Sequence, residues 1–267
     1  MSNPIESWIR KIGLVACLLL AVTSAHAQQP LAVPPSSPQF LSRFDFAVSL
    51  AALASADPRF SYDGRATADF DVVDYVKGRT SVFAQYEVIM GNQLRPFDPN
   101  QGRYTFEGSS SVRIRRTEVA GVFHHLSRHL SDRPNFESIA FNAVGVRVMR
   151  HFELDKSSFD VRGDIEKVVR HAFLDYSWTN ELDVIARRPI SPRVSVFGSG
   201  SFETYGVNPA IAHRTQEHGG RVEGGVHLKG AGGAVELFAG WEQVLDAYPL
   251  ERASQRWSFI GLRLAGR

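Results

Sequence analysis

The chain has 267 residues, with 30 lysines and arginines against 28 aspartates and glutamates, so its charge is nearly balanced. That balance excludes the concentrated basic face of a nucleic-acid binder, and no nucleic-acid partner is expected. Cys17 is the only cysteine, which excludes a disulfide framework.

The first 27 residues read as a secretory signal peptide. Arg10 and Lys11 precede an apolar run over residues 12–22, and Ala25-His26-Ala27 supplies a small-x-small cleavage site. The run is too short to span a bilayer as a helix, and no later segment reaches the roughly 18 consecutive apolar residues that a spanning helix needs. The mature chain is expected to start at Gln28. Leu14-Val15-Ala16-Cys17 resembles a lipoprotein processing site, but the apolar run continues past it to the conventional one. Residues 28–42 form a flexible amino-terminal segment, polar and proline-rich over 28–39, and residues 43–267 form one domain.

From Phe44 onward the hydrophobic period is two. Phe44, Phe46, Val48 and Leu50 alternate with Asp45, Ala47, Ser49 and Ala51, and Ala66, Ala68, Phe70 and Val72 alternate with Arg65, Thr67, Asp69 and Asp71. Further along, Phe159, Val161, Gly163 and Ile165 oppose Asp160, Arg162, Asp164 and Glu166. One face is apolar; the other carries both signs of charge. Strands are predicted near 44–54, 65–76, 79–90, 103–114, 117–129, 136–150, 158–169, 181–190, 193–205, 219–229, 234–244 and 256–265. Ten or fourteen strands remain alternatives, and residues 166–181 read as strand plus loop or as a short helix. Connectors alternate between short turns, such as Arg115-Arg116 and Ser191-Pro192, and longer polar links near 57–64, 92–102, 130–135, 208–217 and 247–254. This is the layout of an all-β, closed antiparallel transmembrane β-barrel of about 12 strands, with short periplasmic turns and longer extracellular loops, in the bacterial outer membrane. Closure matters because lipid tolerates no unpaired sheet edge. Tyr86, Tyr104, Trp178, Tyr205, Trp241, Tyr248 and Trp257 lie mostly near strand ends and read as interface girdles.

The most informative stretch runs from Phe123 to Asp132. His125 and Ser127 lie two apart at the outer end of the fifth strand, so they share a face about 6.6 Å apart at a rise of roughly 3.3 Å per residue. A base and a hydroxyl so placed form the minimum of a serine hydrolase if a third group orients the imidazole. The same alternation places His124 on the opposite face, which leaves too few convergent histidines for a zinc site. In the sixth strand Ile139, Phe141, Ala143 and Met149 share a face with Glu137, opposite Ser138 and Asn142. If the odd positions of both strands face outward, His125, Ser127 and Glu137 all meet lipid near the outer boundary, where a basic side chain costs about 0–1 kcal/mol rather than the 2–4 kcal/mol of the midplane.

His-x-Ser at the outer end of a strand, with a polar residue early in the next, resembles the outer membrane phospholipase A family and is similar to the lipid A 3-O-deacylase family. The orienting residue is an amide in the phospholipase and a glutamate in the deacylase. The resemblance implies His125 as general base, Ser127 as nucleophile and Glu137 as orienting group. It also implies a calcium cofactor assisted by Asp132, five residues after the serine. Arg128-His129 replaces the phospholipase's Asn-Gly. The wider pattern His125-x-Ser127-x-His129-Leu130-x-Asp132 also resembles a motif of uncharacterised outer-membrane barrels. His129 is the alternative base, being equally two residues from Ser127.

The function implied is hydrolysis of acyl esters of outer-leaflet phospholipid or lipid A. The expected partners are membrane lipid, a second copy of the chain in a homodimer, and the barrel-insertion machinery during biogenesis. The alternative is a non-catalytic structural or porin-like barrel, its charged inner face either conducting or filled by paired side chains.

Overall fold

The computed structural model describes residues 28–31, 33–130, 139–212, 214 and 216–266. Twelve strands form: β1 (Gln39–Leu53), β2 (Tyr62–Asp74), β3 (Arg79–Gly91), β4 (Asp98–Ile114), β5 (Thr117–Leu130), β6 (Ile139–Leu154), β7 (Ser157–Ala172), β8 (Tyr176–Pro189), β9 (Val194–Val207), β10 (Gln216–Lys229), β11 (Ala234–Tyr248) and β12 (Ala253–Gly266). Each pairs antiparallel with its sequence neighbour, and β1 pairs with β12 to close the barrel. One helical turn, α1 (Pro209–Ala212), sits in the β9–β10 link.

Residues 166–181 resolve as the end of β7, a short connector and the start of β8, so the helix alternative fails there. Residues 39–42 belong to β1. The turns at one end are tight. Arg115, which opens the two-residue β4–β5 link, and Asp155, which opens the β6–β7 link, both take positive φ (57° and 54°), as the twist of a two-residue hairpin requires. The longer links lie at the other end, with the start of β1 and the end of β12 at the short-turn end.

Alternation sorts the side chains into two environments. Phe44, Val48 and Leu50 on β1, Val146 and Val148 on β6, and Ile260, Leu262 and Leu264 on β12 are exposed on the outer wall. The lumen is filled instead by paired charges. Arg147 reaches Glu107 (2.7 Å) and Asp164 (2.6 Å); Arg221 reaches Glu223 and Glu242; Arg263 joins Glu223 to Glu236. Arg162 touches three carboxylates, Asp164, Glu181 and Asp183. Those three acids could in principle share a metal ion, but the guanidinium already supplies positive charge at their centre. Such pairs hold because each partner neutralises a charge that would otherwise be buried alone.

Toward the long-loop end the lumen turns apolar, with Leu126, Ile139, Phe141, Tyr176, Tyr205 and Leu245 in one cluster. A cavity of about 30 Å³ remains between Arg65, Glu87, Arg103, Arg128 and Glu242, space for little more than water. The links at this end are tied down by ion pairs. Arg59 bridges Asp57 of its own link to Glu251 of the β11–β12 link, and Arg214 joins Asp175 to Asp246.

Candidate functional site

β5 climbs from the Arg115-Arg116 turn toward the long-loop end, and its even positions fall inward. Glu118, Ala120, Val122 and Leu126 are buried, whereas Gly121 and Phe123 are exposed. His125 and Ser127 therefore lie on the outer wall, near its long-loop end. His124 faces the lumen, its Nδ1 3.0 Å from Glu166, and Arg128 donates inward to the backbone carbonyl of Asp246.

β6 faces the opposite way from the expectation. Its odd residues Ile139, Phe141, Ala143 and Met149 are buried, while Val144, Val146 and Val148 are exposed. The expectation equated apolar with lipid-facing, and the apolar cluster inside the outer half of this lumen breaks that equation. The polar residue that reaches the outer wall is consequently Asn142. In the β5–β6 register it stands directly opposite His125, and its Oδ1 lies 2.6 Å from His125 Nδ1. An amide oxygen only accepts, so Nδ1–H donates, and the neutral ring held this way presents its Nε2 lone pair, the tautomer of a general base.

Ser127 follows on the same face, between Tyr104 of β4 and Ala140 of β6. Its hydroxyl has no hydrogen-bond partner among the described residues; nucleophile–base contacts commonly tighten only with substrate bound. His129, the alternative base, is on this face too, but its ring meets Tyr104 edge-on at 5.3 Å between centroids. Tyr86 lies alongside Tyr104 at 4.7 Å, and Phe106 stands opposite His125. Glu137 and Asp132 lie outside the described residues. Tyr104 and Ala140, which flank Ser127, carry no carboxylate to complete a calcium ligand set of the six to eight oxygens the ion takes.

Sequence reasoning missed Asn142, although a signal existed. It is the one strongly polar residue in the alternating series Ala140, Asn142, Val144, Val146 and Val148. A polar interruption of a lipid-facing row, level with a histidine on the next strand, marks a site.

The barrel resembles known structures of the same architecture. The outer membrane phospholipase A of Escherichia coli aligns with a TM-score of 0.51 at 10% identity, over 84% of this chain and 97% of that one. A Salmonella typhi outer membrane phospholipase, described as a dimer with bound calcium, aligns at 0.50 and 9% identity over 87% and 93%. The fold is that of a bacterial outer-membrane β-barrel. An apolar outer wall around a charged lumen places it in that membrane. At 14% identity and a TM-score of 0.40, Acinetobacter baumannii Omp33 also aligns, over 86% of this chain and 100% of that one. No protein-family model and no curated protein sequence matches the chain.

Proposed function

We propose that this barrel is a serine lipid hydrolase that cleaves acyl esters of outer-leaflet lipid. The observation that carries the reading is the 2.6 Å hydrogen bond between His125 and Asn142 on the lipid-facing wall, beside Ser127. A polar pair on that surface costs solvation and contributes nothing to a packed core. An amide in the orienting position agrees with the phospholipase resemblance and displaces Glu137 as the first choice for that role.

Ser127 Oγ attacks the ester carbonyl as its proton passes to His125 Nε2. Asn142 holds the ring by Nδ1–H and favours the imidazolium that forms. The collapsing intermediate takes the proton back onto the departing glycerol or sugar oxygen. Water, deprotonated by the same nitrogen, then hydrolyses the acyl-enzyme. The outward position lets the substrate react without leaving the leaflet. Tyr104 and Phe106, exposed beside the pair, provide an apolar wall for the acyl chain.

Ester hydrolysis by purified, refolded protein tests this reading. Ser127→Ala should abolish fatty-acid release while the barrel keeps its heat-modifiable mobility. Equal release by both proteins would sink the assignment. Repeating the assay with calcium and with chelator, and cross-linking the protein in micelles, tests the calcium and homodimer expectations. The ion-paired lumen separately favours a closed structural barrel over a porin as the non-catalytic alternative, and planar-bilayer recordings should be silent.

A further inference from the structure

The amino-terminal end of the described chain turns into the lumen instead of trailing away from the barrel. Gln28 is buried. Its side-chain oxygen accepts a hydrogen bond from Ser109 Oγ at 2.7 Å, and its amide nitrogen lies 3.4 Å from Glu118 Oε1. The backbone carbonyl of Gln29 accepts from Arg79. These partners are lumen-facing residues of β3, β4 and β5 at the short-turn end, whereas the same segment feeds β1 at Gln39, next to Asp74 of β2. The chain thus folds back inside the mouth over the neighbouring wall, since Arg79 pairs with Asp74, which pairs with Gln39. The intervening prolines, Pro34, Pro35 and Pro38, favour an extended path of about 3.1 Å per residue.

The receiving surface is polar and internally paired. Arg43, Arg79 and Arg113 there bridge Asp69, Asp71, Asp74 and Glu118 into one network. Ser111 and Ser81 hydrogen-bond into it. Gln28 adds a donor to Glu118 and an acceptor to Ser109, and Gln29 adds an acceptor to Arg79, so the segment matches the polar groups it meets.

We propose that residues 28–31 are a built-in stopper of the short-turn end of the lumen, docked through Gln28 and Gln29 on Arg79, Ser109 and Glu118. The docking seals the barrel from the side opposite the ion-paired outer links. It is independent of the hydrolase reading, because the site on the outer wall shares no residue with it.

Thiol chemistry on the full chain tests the stopper, in a Cys17→Ser background that removes the single native thiol. In refolded barrel, a short bifunctional maleimide should join Gln28→Cys to Ser109→Cys. It should leave Gln28→Cys unlinked to Ser199→Cys, a lumen position on β9. Linkage to both positions, or to neither, overturns the proposal. With Ser109→Cys alone, adding Gln28→Gly and Gln29→Gly should speed labelling by a soluble maleimide about tenfold, the equivalent of about 1.4 kcal/mol of lost docking. Unchanged labelling in protein that keeps its heat-modifiable mobility also overturns it.

Discussion

Replacing Asn142 with alanine isolates the hydrogen bond on which the catalytic reading depends. In the resting site Nδ1–H donates to a neutral amide, an interaction contributing about 0.5–1.5 kcal/mol net; once His125 becomes imidazolium the bond is charge-assisted and contributes about 1.5–3 kcal/mol. The difference, about 1–1.5 kcal/mol, acts only in the transition state and converts to a fall of roughly 5- to 13-fold in kcat. Because the neutral bond is already made in the free enzyme, kcat/KM falls by the same roughly 5- to 13-fold. Asn142 sits on the outer wall opposite His125, so the barrel itself should survive the change. Asn142→Asp keeps an acceptor 2.6 Å from Nδ1 and should restore most of the rate. The assay is initial-rate release of fatty acid from mixed micelles. Unaltered kinetics in Asn142→Ala would refute the orienting role, as would failure of Asn142→Asp to recover activity when Asn142→Ala has lost it.

Other consequences are open to simple measurement. His125→Ala should abolish hydrolysis, while His129→Ala, which among the described residues gives up a ring contact with Tyr104, should retain most of it; the reverse order would make His129 the base. Removing Arg162 by Arg162→Met takes the paired cation from the lumen carboxylates Glu181 and Asp183 and leaves Asp164 with Arg147. It should cost about 3–5 kcal/mol in equilibrium urea unfolding, the range for breaking one side of a buried pair. Asp57, in the outer β1–β2 link, is held below its ordinary 3.8 by hydrogen bonds from Arg59. Its folded-state value is depressed, so its contribution is present above the unfolded value and is lost as pH falls through the folded one. An NMR titration should give a midpoint below 3.8, moving back up in Arg59→Ala.

The barrel was legible in sequence because strand period two leaves its mark on every segment, and all twelve predicted strands form. The outward direction of His125 and Ser127 could be posed but not decided, since a strand's parity does not say which side meets lipid. β6 shows the physical reason. Phe141 and Ile139 pack against Tyr176 inside the barrel, so apolar character alone misassigns the face. Asn142 then escaped notice because its place depends on register. Pairing sets it level with His125, and that offset depends on the length of the intervening link. The ion pairs of the lumen were legible as a charged face, but their partners were not, since Arg65 and Glu242 are 177 positions apart in sequence and meet only when the barrel closes.

The central claim, a nucleophilic Ser127 on the lipid-facing wall, is tested most directly by covalent trapping. Refolded barrel incubated with a long-chain alkyl sulfonyl fluoride should carry one alkylsulfonyl group on Ser127 by peptide mass spectrometry, and His125→Ala should suppress it. Modification at other residues only, or equal modification of Ser127 with and without His125, would contradict the account.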